Sequence, residues 1–259
     1  TQPLERMGDD APTGDGYLTL KMNTSSGVNS GTFTMAGMLP NGTKVSGSFA
    51  LVQLTEDDES VHYVLPIFRS STRDALSAVV EILPNAQAKK LRRCVFSPDY
   101  CDGYWRHEEA AGSYEKTFTL HGSYYDADED LGGCCEEFYK TTKLNFYANG
   151  VFVGGEPGKP SVVVGEDKKG NNAITLEGEN PGKLKLSFVP STGVVSGTFT
   201  DGAGRGVSYA GVIVNGWGED CGCGNYDTYL PFMGGSCFWN DLGKDGLKRA
   251  FGAPVSINK

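Results

Sequence analysis

The 259-residue chain has three histidines, His62, His107 and His121, and no G-x-S-x-G elbow around any serine. Ready-made hydrolase motifs are therefore missing. The run HEEAA (107–111) begins like a zinc-protease helix but has Ala111 where the second histidine belongs. No C-x-x-C pair occurs, which disfavours a structural zinc knot. Positive charge is scarce. The net charge is −9, and the one basic cluster, Lys89-Lys90 with Arg92-Arg93, is short. Nucleic acid is disfavoured as a partner, because phosphate binding needs clustered Lys and Arg. No apolar run approaches the ~20 residues of a membrane-spanning helix. Long Leu/Ala/Glu/Lys stretches of helical character are also missing. Gly-rich GAGRG (202–206) lies between two strand patterns without the helix that would hold a phosphate, and reads as a hairpin turn.

Glycine is abundant, at 36 residues, and threonine, serine, tyrosine and valine alternate in short runs. That composition predicts many short antiparallel strands joined by turns. Within it lies a repeat. GVNSGTFT (27–34) returns as GVVSGTFT (193–200), with seven of eight letters identical. At the same offset Gly16, Leu18, Leu20 and Ser25 recur as Gly182, Leu184, Leu186 and Ser191. Val45-Ser46 recurs as Val207-Ser208 and Leu65-Pro66 as Leu230-Pro231, with small slips. The pattern predicts an internal duplication: an all-β chain of two homologous antiparallel halves, each a small barrel or tight sandwich. Residues 1–13 read as a flexible lead-in, 14–112 as the first module and 113–259 as the second. Gly31 and Gly197 are expected at equivalent backbone positions, as bulges or barrel corners.

The first half reads as strands over YLTLKM (17–22), SGTFTMAG (30–37), KVSGSFALVQL (44–54), VHYVLPIF (61–68) and ALSAVVEIL (75–83), in up-and-down order. Asn41-Gly42 is a hairpin signal. NAQAKKLRR (85–93) suits a short helical turn, and 94–108 another strand ending in Trp105. In the second half KTFTLHGSYY (116–125), KLNFYANGVFV (143–153), KLKLSFV (183–189), GVSYAGVIV (206–214), CFW (237–239) and APVSI (253–257) are strand-like. The polar opening, without an initiating Met, is expected of a chain whose leader has been removed. Seven cysteines, Cys94, Cys101, Cys134, Cys135, Cys221, Cys223 and Cys237, cluster in predicted loops. They point to an oxidising compartment and at least two disulfides, with Cys94–Cys101 the first choice and thiolate-bound zinc the alternative.

A G-x-h-S-G-x-F strand pair, an h-S-x-x-G-h strand and a Y-x-L-P strand, repeated around a central Trp105 and HGSYY (121–125), resemble tandem Gly-rich β modules of large secreted or surface proteins of environmental bacteria. The resemblance spans residues 16–259. It implies a pair of β-barrels, export to the cell surface, and a structural or adhesive setting. It supplies no catalytic residues.

Two local features bear on function. In DADEDLGGCCEE (126–137), Asp126, Asp128, Asp130 and Glu137 have the oxygen-ligand spacing of a calcium loop, although Leu131 stands where that loop needs glycine. An ordinary solvated acidic loop is the competing reading, and no other cofactor is indicated. Aromatics also gather near predicted strand ends: Tyr104, Trp105, Tyr124, Tyr125 and Trp217, the last flanked by Gly216 and Gly218. Flat rings beside Asp and Asn suit stacking on sugars; packing in a β core is the plainer alternative. The function expected is therefore an exported, non-catalytic surface or binding module, an adhesive unit for a glycan or surface polymer. The alternative is a carbohydrate-active hydrolase with its cleft between the two halves.

Overall fold

The computed structural model describes residues 12, 14–23, 31–57, 60–83, 95–96, 102–109, 112–120, 125, 143–148, 151–154, 160–170, 172–213, 233–242 and 248–258. The described part is all-β with antiparallel sheets, as the alternation predicts. The chain divides into two compact units. One comprises Leu18–Gly37 with Lys44–Tyr124; the other comprises Thr1–Tyr17, Met38–Thr43 and Tyr125–Lys259.

In the first of these, strands β1 (Tyr17–Met22), β2 (Thr32–Met38) and β3 (Lys44–Ala50) form one sheet in that order. A second sheet runs β4 (Val52–Thr55), β5 (Val61–Ser70), β6 (Asp74–Leu83), β8 (Asp102–Glu109), β9 (Gly112–Thr119), with β7 (Val95–Phe96) paired to β6. Within each sheet the strands follow chain order, apart from β8 pairing with β6 while β7 lies off the path, but among the described residues they form two sheets rather than the expected closed barrel. The expected single strand over 44–54 is broken at Leu51, whose amide turns to the Gly31 carbonyl at 2.9 Å. Trp105 lies in the middle of β8 rather than at the end of a strand. Period-2 alternation sends Leu65 and Ile67 of β5, Leu76, Ala78 and Val80 of β6, and Trp105 of β8 to one buried face.

The other unit holds a larger sheet: β10 (Lys143–Ala148), β11 (Val151–Gly154), β12 (Ser161–Glu166), β13 (Asn172–Glu177), β14 (Lys185–Val189), β15 (Val194–Thr200), β16 (Gly206–Ile213), β17 (Met233–Leu242) and β18 (Lys248–Asn258). Its order is β13-β12-β10-β18-β17-β16-β15-β14, with β11 beside β10. This is not purely up-and-down, because β10 pairs with β18 from Asn145↔Asn258 to Ala148↔Val255. Nor is it a closed barrel: among the described residues no ladder joins the end strands β13 and β14. Between them the chain is folded into a turn. The Asn180 carboxamide donates to the Leu184 carbonyl and accepts from the Leu184 amide, both at 2.7 Å, and Lys183 adopts φ 49°. Phe146 packs edge-on against both Phe199 and Tyr209 in the core, with Phe146 and Tyr209 centroids 4.7 Å apart.

The repeated segments follow one path for three strands, but not at the register the letters indicate. Asn23 N–H bonds to Thr32 O at 2.8 Å in the first, whereas Val189 pairs with Val194 in the second. The connection is thus 24–31 in one and 190–193 in the other, four residues shorter. From there β2 and β15 (starting at 32 and 194), and β3 and β16 (starting at 44 and 206), run 162 apart, not 166. Gly31 therefore corresponds to Gly193, and its expected equivalence with Gly197 does not hold. Gly31 (φ 76°) and Gly193 (φ 68°) both sit in the left-handed region, and their carbonyls accept from Leu51 and Ile213 respectively, each at 2.9 Å. Gly197 lies within β15, opposite Tyr209 and Leu186. The four-residue difference is even, so inward and outward positions keep their parity.

Turn chemistry matches the sequence where it is described. Gly42 (φ 84°) closes the β2–β3 hairpin, and Asn41 accepts from the Thr43 amide at 3.0 Å. GAGRG is the β15–β16 hairpin turn. The buried Asp201 carboxylate accepts from the Ala203 and Arg205 amides and from the Arg205 guanidinium, at 2.8–2.9 Å.

Tyr209 lies across Gly197 and donates its hydroxyl to the Lys185 carbonyl at 2.8 Å. Burial pushes its phenol well above the ordinary range. Unfolded tyrosine loses its proton near pH 10, while folded Tyr209 keeps it. Above about pH 10 the unfolded state binds fewer protons than the native state, so this residue's contribution to stability is intact below that pH and declines above it. Urea titrations at pH 8 and pH 11 should show a smaller alkaline loss for Tyr209→Phe than for the unmodified protein. Equal losses would remove Tyr209 from the alkaline response.

Candidate functional site

The six-stranded sheet carries chemistry on both faces. On its buried face, the Ser71–Asp74 turn sets the start of β6. The Ser71 hydroxyl accepts from the Asp74 amide at 3.0 Å, and the Ser71 amide donates to the Asp74 carbonyl at 2.7 Å. Asp74 then stands opposite His107 on β8. One carboxylate oxygen, Oδ1, accepts from the Trp105 indole at 2.9 Å and from His107 Nδ1 at 2.8 Å. Tyr114 stacks on His107 with centroids 4.8 Å apart and meets Trp105 edge-on at 5.0 Å. Asp74, Trp105 and His107 are all buried. A dense polar cluster of this kind is core structure: it satisfies groups that are withdrawn from water.

The opposite face is exposed over much of its extent, with Val64 and Glu81 on it buried. Strand alternation brings Val52 and Leu54 (β4), Pro66 and Phe68 (β5), Val79 (β6) and Tyr104 (β8) onto it. Phe68 is 66% exposed. Phe68, Ser77, Tyr104 and Thr117 form one row across four strands. The two rings are thus two strand spacings apart, about 10 Å. Partial burial, together with a hydrogen bond to and the negative charge of Glu115, raises the Tyr104 phenol above its usual range. Arg106, flanked by Glu108 and Glu115, adds charged groups to the same face.

At one end of this face the β4–β5 turn brings three further side chains together. Ser60 Oγ is 3.1 Å from His62 Nε2, and His62 Nδ1 is 2.5 Å from Glu81 Oε1. Glu81 sits opposite Val64, so His62 reaches it diagonally across the β5–β6 ladder. Glu81 is buried, whereas the His62 side chain is 27% exposed.

The structure sorts the aromatics expected to bind a ligand. Tyr104 remains on the exposed face. Trp105 does not: with 1% exposure and its indole tied to Asp74 it belongs to the core, because β8 alternation turns it inward. Tyr125 packs its ring against Gly193, where an added Cβ would lie 3.0 Å from it. Tyr124, Trp217 and the proposed calcium ligands Asp126, Asp128, Asp130 and Glu137 lie outside the described residues, as do the helical turn at 85–93 and every cysteine side chain. Among the described residues, no group of three His, Cys, Asp or Glu is placed to hold a metal ion. Phe68 was legible but passed over: it alternates with the buried pair Leu65 and Ile67, which puts it on the other face.

Compared with family models, curated proteins and solved structures, the chain matches none.

Proposed function

We propose that the protein is an exported binding module that holds a glycan or another surface polymer on the outer face of its six-stranded sheet. The observation behind this reading is the row Phe68–Ser77–Tyr104–Thr117, bordered by Pro66, Val79, Arg106 and Glu115. Two rings on a rigid sheet offer stacking surface, and the hydroxyls and charges between and beside them offer hydrogen bonds. An extended polymer suits such a face, because successive units can lie along successive strands. Export fits the seven cysteines and the resemblance to secreted modules.

The test is a glycan array followed by pull-down on insoluble polysaccharides. Phe68→Ala and Tyr104→Ala should each weaken binding by about 1 kcal/mol, roughly fivefold. Both positions are outside the buried core, so the fold should persist. Binding that is indifferent to both substitutions removes this face from the site. A protein that retains no polysaccharide at all is not a glycan module.

A further inference from the structure

We propose that Ser60, His62 and Glu81 form an acyl-transfer site that takes activated carboxylic esters. The inference is independent of the polymer-binding reading. A carboxylate only accepts hydrogen bonds, so the 2.5 Å contact requires His62 Nδ1 to donate to Glu81. In the neutral ring Nε2 is then left as the acceptor, and it faces Ser60 Oγ at 3.1 Å. Nucleophile, base and orienting acid thus stand in the sequence of contacts that activates a serine. Burial of Glu81 fixes the third member, while the half-buried His62 and Ser60 stay within reach of a reagent. A second carboxylate, Glu56, has Oε1 3.8 Å from His62 Nε2 and favours the imidazolium that forms during attack.

The step balances without a cofactor. Ser60 Oγ bonds to the acyl carbon as its proton passes to His62 Nε2, and the carbonyl electron pair moves onto oxygen. Collapse of this intermediate breaks the bond to the leaving group, which takes the proton from Nε2. Water, deprotonated by the same nitrogen, then cleaves the acyl–Ser60 ester and regenerates the hydroxyl. Leu54, directly opposite His62 and 49% exposed, offers apolar surface to a short acyl group. An activated leaving group fits the site, since it departs with little proton assistance.

The experiment uses an aryl fluorophosphonate probe and p-nitrophenyl acetate on the full chain. One adduct should form per molecule and map to Ser60. Ser60→Ala should abolish it, and His62→Gln should slow it by about a hundredfold or more, the usual contribution of a general base. Ester hydrolysis should fall in parallel. Circular dichroism and unfolding midpoints of both variants check that the fold is kept. No adduct, an adduct mapping elsewhere, or labelling at unchanged rate in folded His62→Gln would each overturn the proposal.

Discussion

Replacing Gly197 by alanine is expected to destabilise its unit by about 3 kcal/mol, a large part of the 5–15 kcal/mol typical of a domain. An added Cβ would overlap the carbonyl oxygen of Lys185 and come within 2.8 Å of the Tyr209 hydroxyl. The first obstacle is backbone, which cannot rotate away. Relief requires β14 and β15 to separate, and that movement also breaks the Tyr209–Lys185 hydrogen bond. Gly206→Ala is the control: nothing lies within 4 Å of its Cβ and its φ is not positive. That change should be neutral or slightly stabilising, because alanine restricts the unfolded chain. Urea denaturation of both variants decides the matter. Equal midpoints would mean that the close approach of Tyr209 to β15 is not rigid.

Asp74→Ala should cost about 2–6 kcal/mol. The substitution leaves two buried donors, the Trp105 indole and His107 Nδ1, without their shared acceptor, each at about 1–3 kcal/mol. It also removes the side chain around which the hairpin start and β8 are fitted together. Asp74→Asn retains an oxygen that accepts from both donors and should lose much less. Denaturation followed by tryptophan fluorescence and by circular dichroism should report the loss together. A midpoint for Asp74→Ala within 0.5 kcal/mol of the unmodified protein, the range of ordinary surface changes, would show that the cluster contributes nothing to stability.

Local features of the fold were legible. YLTLKM reads as a strand and is one, and Asn41-Gly42 announces the hairpin it makes, because strand alternation and turn geometry are written within a few residues. The candidate sites were less so. Asp74 and Trp105 are 31 residues apart, and His62 and Glu81 are 19 apart. Their meeting is set by ladder registers that no local pattern states. The inward turn of Trp105 depends on the parity of β8, which the reading of 94–108 as one strand did not fix. The repeat misled in a definite way. It matched letters at 166, whereas backbone pairing from Gly31 onward follows 162, because hydrogen-bond register and turn closure decide equivalence, not identity of side chains.

The β10–β18 ladder has a bearing on how the larger sheet comes into being. Its partners, such as Phe146 and Ile257, are more than a hundred residues apart, so the chain must close a very long loop before this pairing forms. Hairpins such as β12–β13 and β15–β16 can assemble early from neighbouring segments, whereas the join between β10 and β18 waits for residues made more than a hundred positions after β10. Until then β10 presents an unpaired edge, a surface on which another chain can add a strand. Folding of this unit is therefore a race between its own distant strand and a stranger's, and conditions that hold nascent chains apart favour the native outcome.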